Sequence, residues 1–268
     1  MAEKKKTTVA TLRKMKQAHE PIVMLTAYDA PTAKLAELCG VDIILVGDSL
    51  GMSVLGYKDT LHVTLEQSLH HCAAVTRGAR NSFVVGDMPF MTFQVSPEQA
   101  LVNAARYLQE ADCDAVKLEG DRSMAPTVAR LTAAGIPVMG HIGLRPQQLK
   151  VEGAYRIAGK TESAAEALFA DATAMRDAGA FAIVLECIPA ELAKKLSESI
   201  DIPTIGIGAG AGTDGQVQVV NDILGLFTDF VPKHSKRYAN LTAEMERAFK
   251  EYVSDVKDKK FPGPENSF

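Results

Sequence analysis

Short apolar runs recur along the chain, each bounded by Gly, Pro or Asp. They are IVMLT (22–26), DIILV (42–46), FVVGD (83–87), AVKLE (115–119), PVMGH (137–141), FAIVLE (181–186), PTIGIG (203–208) and a weaker ILGLF (223–227). Rich in Val, Ile and Leu and only a few residues long, they predict buried strands. Between them the apolar positions take a helical period. From Pro97 to Ala111, one face carries Ala100, Leu101, Ala104, Ala105 and Leu108, and 161–178 is alanine-rich in the same way. Thr64 with Gln67, and Ser96 with Gln99, have capping-box spacing, and Pro97 suits a first helical turn. Strands alternating with amphipathic helices predict a parallel sheet with right-handed crossovers. Eight such units in roughly 250 residues is the size of an α/β fold closed as a single (β/α)8 TIM barrel. The alternative is an open doubly wound sheet, which needs a topological switch point.

No Pro/Gly/Ser linker divides the chain, so residues 1–268 read as one domain. Residues 1–20 predict an extra N-terminal helix across the barrel's amino-terminal mouth, and 254–268 an irregular tail. Two β-to-α intervals are long, 49–64 and 142–161. Both leave the carboxyl ends of strands. They read as lids or substrate walls rather than disordered insertions.

Composition narrows the classes. Trp is absent and aromatics make up only 6%, so the core is aliphatic. A net charge of -4 leaves no basic footprint for nucleic acid. The run Lys4, Lys5, Lys6 with Arg13, Lys14 and Lys16 reads as an exposed helix. Cys39, Cys72, Cys113 and Cys187 form no C-x-x-C pair or zinc module, and read as reduced thiols. No stretch approaches the roughly 20 apolar residues that span a bilayer. No apolar segment follows the N-terminal charges as in a secretory signal. A cytoplasmic location is expected.

Five of the runs end in chemistry: Asp48, Asp87, Lys117 with Glu119, His141 and Glu186. In an α/β barrel all strand carboxyl ends open onto one face, which carries the active site. Each Asp alone could simply cap the next helix. The repeated Gly47-Asp48 and Gly86-Asp87 argue for more, since a glycine there leaves room for a ligand. Carboxylates that converge repel one another unless a cation neutralises them. An all-oxygen set points to Mg2+ or Mn2+ over zinc. Lys117 and Glu119, two apart, face one side of a strand. The lumen top suits them better than the helix layer, where they would form a structural ion pair. Lys117 then offers a cation to a substrate carboxylate. His141 could transfer a proton, orient substrate or merely hold a loop. Glu186, beyond a fully apolar strand, suits a general base. Cys187 would face away from Glu186 on an alternating strand, and His70 and His71 read as solvent-side. The glycine-rich GIGAGAGTDGQ (206–216) reads as a tight turn letting backbone approach a ligand, with phosphate as the lesser option.

At these residues the chain resembles the ketopantoate hydroxymethyltransferase family. The matching stretches are TAYDAPTAKLAE (26–37), ILVGDSLGM (44–52), GDMPFM (86–91), VKLEGD (116–121), PVMGHIGLRPQ (137–147), VLECIP (184–189), IGIGAGAGTDGQ (205–216) and FPGPENSF (261–268). Asp121 departs from a glycine common in the family, and Asn266 from a usual histidine. The resemblance implies a barrel of the phosphoenolpyruvate/pyruvate superfamily type. It implies a transferase that moves a hydroxymethyl group from 5,10-methylenetetrahydrofolate to 3-methyl-2-oxobutanoate. The product would be 2-dehydropantoate, formed through a Mg2+-stabilised enolate in pantothenate biosynthesis. It implies Asp48, Asp87 and Glu119 as metal site, Glu119 directly or through water. It implies Ser49 and Lys117 on the substrate carboxylate beside Asp48 and Asp87, Glu186 as base, and His141 as its active-site partner. A homodecamer is the family's usual assembly, and neither nucleic acid nor membrane is expected as a partner. Two rivals stand beside this reading. One is a lyase or mutase of the same superfamily, the other a metabolite-binding barrel without turnover.

Overall fold

The computed structural model describes residues 5–226 and 231–268. Their contacts fall into two units, Met1–Val219 and Val220–Phe268, a boundary that the single-domain expectation did not draw.

The first unit is a closed parallel barrel with strands in sequence order. The strands are β1 (Ile22–Thr26), β2 (Ile43–Val46), β3 (Phe83–Asp87), β4 (Ala115–Glu119), β5 (Val138–Gly143), β6 (Ala182–Glu186), β7 (Thr204–Ile207) and β8 (Gly215–Gln218). The helices of this unit are α1 (Val9–Gln17), α2 (Ala30–Leu38), α3 (Leu50–Ser53), α4 (Leu65–Gly78), α5 (Pro97–Gln109), α6 (Ala125–Ala133), α7 (Leu149–Glu152), α8 (Glu162–Asp177) and α9 (Ala190–Ser199). Thr64 closes a complete capping box on α4. On α5 only half the box forms. Ser96 accepts from Gln99 N, while the Gln99 amide donates to Met91 O. The buried face of α5 is Ala100, Ala104 and Tyr107, so the aromatic carries the packing that Leu101 and Leu108 were expected to carry.

The eighth strand lies elsewhere than expected. Ile223 and Leu224 are helical, in α10 (Val220–Leu224), and Phe227 of the same run lies outside the described residues. β8 is instead the sequence GQVQ, which alternates buried and exposed positions. It lacks the continuous apolar run that marks the other strands.

The glycine-rich segment explains how β8 is reached. Residues 208–214 connect β7 to β8 with no helix. A parallel crossover ordinarily needs a dozen residues or more. This short one lies flat on α9: a Cβ on Gly210 would come within 2.4 Å of Ala190 Cβ, and one on Gly212 within 2.6 Å of Lys194 Cβ. Gly210 and Gly212 therefore admit a neighbouring helix.

α1 closes one end. Leu12 and Met15 join the cluster of Ile22, Met24, Ile43, Phe83, Met139 and Val217 inside the barrel. Lys16 Nζ reaches Asp214 Oδ2 at 2.7 Å, just before β8, and Lys6 Nζ reaches Asp114 Oδ2 at 2.6 Å, just before β4. This end is therefore the amino-terminal floor.

Neither long interval is formless. The first holds α3 and a 3-10 turn at Thr60–His62, with Leu50, Asp59, Thr60 and Val63 buried. The second holds a 3-10 turn at Pro146–Gln148 and then α7.

In the second unit, α10 is followed by α11 (Leu241–Lys257), capped by Asn240. Thr242 Oγ1 donates to Gly225 O at 2.6 Å, tying the two together. The irregular tail begins later than residue 254. Arg247–Glu251 and Lys250–Glu246 pairs, four residues apart, carry the helix to Lys257.

Candidate active site

Strand register gathers the chemistry. Asp87 on β3 lies level with Lys117 on β4, and Glu119 on β4 level with His141 on β5. Glu186 ends β6 beside Gly143. Asp48 stands two residues beyond β2, and its backbone N–H donates to Asp87 Oδ2 at 3.0 Å. All seven residues singled out beforehand meet at the top of the barrel except Ser49. Its hydroxyl stands slightly apart, 2.9 Å from Tyr28 OH. Ser49 precedes α3 without capping it.

Lys117 Nζ is 2.8 Å from Asp87 Oδ1 and 3.2 Å from His141 Nδ1. An ammonium only donates, so Nδ1 accepts and the ring proton sits on Nε2. That nitrogen is 3.1 Å from Glu186 Oε2, though not aligned for a hydrogen bond. Burial, and then Lys117, push the His141 pKa below its ordinary value, so the ring is neutral. For Lys117 burial opposes the charge, but Asp87, Glu119 and Asp48 outweigh it and raise the pKa, so it stays an ammonium.

The acids are less well served. Burial first, and then Asp87, push Asp48 up to about 7. Burial and Asp48 push Glu119 well above the usual range. Asp87 Oδ1 is buried and accepts no aligned hydrogen bond. Asp48, Asp87, Glu119 and Glu186 thus face one lysine and one neutral histidine. A divalent cation at Asp48 and Asp87 would remove the excess. Among the described residues no three His, Cys, Asp or Glu side chains are close enough to form a cage. Protein oxygens would then supply one or two ligands, with water and substrate oxygens completing the shell, which is the Mg2+ pattern.

Several partners escaped the sequence reading. Gln147 is buried, and its amide donates to Asp48 Oδ2 and to Met88 O, both at 3.0 Å. Tyr107 OH and Ser68 Oγ both donate to the Asp87 carbonyl. A Cβ on Gly86 would strike the Tyr107 ring at 2.3 Å, so this glycine makes room for Tyr107 rather than for a ligand. His71 is not simply solvent-side: its Nδ1 lies 2.7 Å from Tyr28 O. Cys187 follows the end of β6 with a φ of 49°, so strand alternation no longer governs it. All four cysteines are free.

A closed parallel barrel with an acid-lined cleft at its strand carboxyl ends defines an α/β-barrel enzyme. Solved structures share that fold. Phosphonopyruvate hydrolase matches 98% of this chain and 91% of its own at a TM-score of 0.64 and 13% identity. The 2,3-dimethylmalate lyase of the PEP mutase/isocitrate lyase superfamily matches 98% and 92% at a TM-score of 0.60 and 18% identity. The chain belongs to the ketopantoate hydroxymethyltransferase family, whose model matches residues 6–264. Relatives named 3-methyl-2-oxobutanoate hydroxymethyltransferase include one from Dehalococcoides mccartyi, 54% identical over 98% of this chain and 93% of its own length. Another, from Syntrophus aciditrophicus, is 52% identical over 98% and 97%. The chain is accordingly an enzyme of the transferase class. No described helix is long and apolar enough to cross a membrane.

Proposed function

We propose that this enzyme transfers a hydroxymethyl group from 5,10-methylenetetrahydrofolate to 3-methyl-2-oxobutanoate, giving 2-dehydropantoate for pantothenate synthesis in the cytoplasm. The observation that carries it is three buried acids, Asp48, Asp87 and Glu119, around one lysine at the barrel top, with half-buried Glu186 beside them. Asp48 and Asp87 would hold Mg2+ or Mn2+, with Glu119 reaching the ion through water. When bound, the cation supplies Lewis-acid stabilisation of the charge that develops on the substrate's keto oxygen. The relation to phosphonopyruvate hydrolase, whose structure holds oxalate and Mg++, supports this choice.

The chain's own groups do the rest. Lys117 and Ser49 receive the substrate carboxylate. Glu186, the least buried acid of the cleft at 15% side-chain exposure, faces the mouth and removes the C3 proton. His141, neutral with its proton on Nε2, turns that N–H toward Glu186 Oε2, 3.1 Å away, and so favours the ionised, basic form of the carboxylate. The intervals 49–64 and 142–161 exclude water from the reacting carbon. Met245, Phe249, Tyr252, Val253 and Val256 leave an exposed apolar stripe on α11, which supports assembly with further copies, a decamer in the family's manner.

The test is C3 hydrogen–deuterium exchange of 3-methyl-2-oxobutanoate, followed by NMR with and without Mg2+. Exchange should depend on the metal and fall by roughly 10²–10⁴-fold in Glu186→Gln. No exchange by the unmutated protein, even with tetrahydrofolate present, sinks the proposal and favours the lyase or mutase alternative.

A further inference from the structure

We propose that Gln147 is a positioning residue that couples the loop after β5 to the metal-binding acids, so that cation binding and loop order are one event. The inference rests on the proposed metal site. Gln147 is the point at which this loop enters the cleft. Its backbone N–H donates to Glu119 Oε2 at 3.1 Å, and its side-chain amide to Asp48 Oδ2 at 3.0 Å. The same amide donates to Met88 O, while its Oε1 accepts from Gln94 at 3.0 Å. One residue therefore holds two acids from different strands and is itself held by the loop after β3. Every polar atom of its amide is engaged, so it cannot turn without breaking a buried hydrogen bond.

The loop on either side of Gln147 is fastened as well. Arg145 reaches Asp121 Oδ2 at 2.8 Å and Glu152 at 3.4 Å. Val151 in α7, and Tyr155 and Ile157 beyond it, are exposed, so this stretch has little burial of its own to order it. Gln147 and Arg145 hold its start, and the Ala158 N–H, donating to Cys187 O at 2.9 Å, holds its far end. An acid that turns toward a cation pulls on Gln147, and a Gln147 that is released frees the acid's second oxygen. Groups one step out from a metal ligand typically change metal affinity by 10–100-fold.

The test uses the full chain and two readouts apart from turnover. Mn2+ binding is followed by its EPR signal, with Mg2+ measured by competition. Trypsin cleavage after Lys150 and Arg156, both exposed, is mapped by mass spectrometry with and without Mg2+. In the unmutated protein the cation should slow cleavage at both sites. In Gln147→Met, which keeps volume and loses the amide, affinity should fall roughly tenfold or more and the protection should vanish. Gln147→Ala serves if the methionine variant misfolds. Unchanged affinity and protection in a folded variant overturn the inference, even if its melting temperature drops. Absence of binding to the unmutated protein overturns the metal reading itself, and this inference with it.

Discussion

At the barrel floor, Asp214 is answered from every side. Its Oδ2 takes Lys16 Nζ at 2.7 Å, Ser197 Oγ at 3.1 Å, Thr204 N at 2.8 Å and Thr204 Oγ1 at 2.9 Å. At the barrel top, Asp48, Asp87 and Glu119 share Lys117, Glu186 faces neutral His141, and a buried oxygen of Asp87 accepts no aligned hydrogen bond. Both ends bury carboxylates beneath the same fold. The floor spends its partners on holding β8 and α1 in place. The top withholds them, and the deficit is what a cation and an anionic substrate can repair. Stability and function are thus divided between the two ends of one barrel.

Substitutions can break this contrast. Asp214→Ala should cost about 3 kcal/mol, because it strands the Lys16 ammonium. Thermal unfolding would show a melting temperature several degrees lower, with activity per folded molecule unchanged. A loss of activity greater than the loss of folded protein would blur the division. Asp48→Asn should act oppositely. Without cation at pH 8 it should gain about 1–2 kcal/mol, since one mutually repelling charge is gone. Titration with Mg2+ should then detect no binding. A destabilised Asp48→Asn protein would mean that the top is as satisfied as the floor.

The smallest effect comes from pH. Asp48 in the fold rises from 3.8 to about 7, and Glu119 moves the same way. Between those values the folded state holds more protons than the unfolded chain, so stability falls as pH rises. Stability from these groups is full below about pH 4 and lost through pH 7. His141, lowered in the fold, opposes this only below its ordinary 6.5. Mg2+ should therefore raise the melting temperature more at pH 8 than at pH 5.5. An equal rise at both would remove Asp48 from the cation's surroundings.

The acids at the top were legible because strand ends are legible. Asp87 and Glu186 terminate unbroken apolar runs, Glu119 one interrupted only by Lys117, and parallel register does the gathering. β8 was not, because GQVQ carries alternating polarity and earns its place by pairing β1 and β7. Gln147 was hidden for a different reason. It sits in a loop, and no spacing in the chain announces which loop amide will turn inward. Its role depends on where Asp48, 99 positions earlier, ends up. The glycines of 206–216 were visible, but not that Gly210 and Gly212 would let the chain lie against α9.

The floor clasp also sets an order in time. Synthesis makes α1 first, and Lys16 must wait 198 positions for Asp214. β1 likewise finds its last neighbour only when Gly215–Gln218 exists. Any sheet formed from the first seven strands alone would be unclosed, with two exposed edges, and the helix-free crossover makes the closing move short. A chain stalled before residue 214 would keep those edges open to other chains.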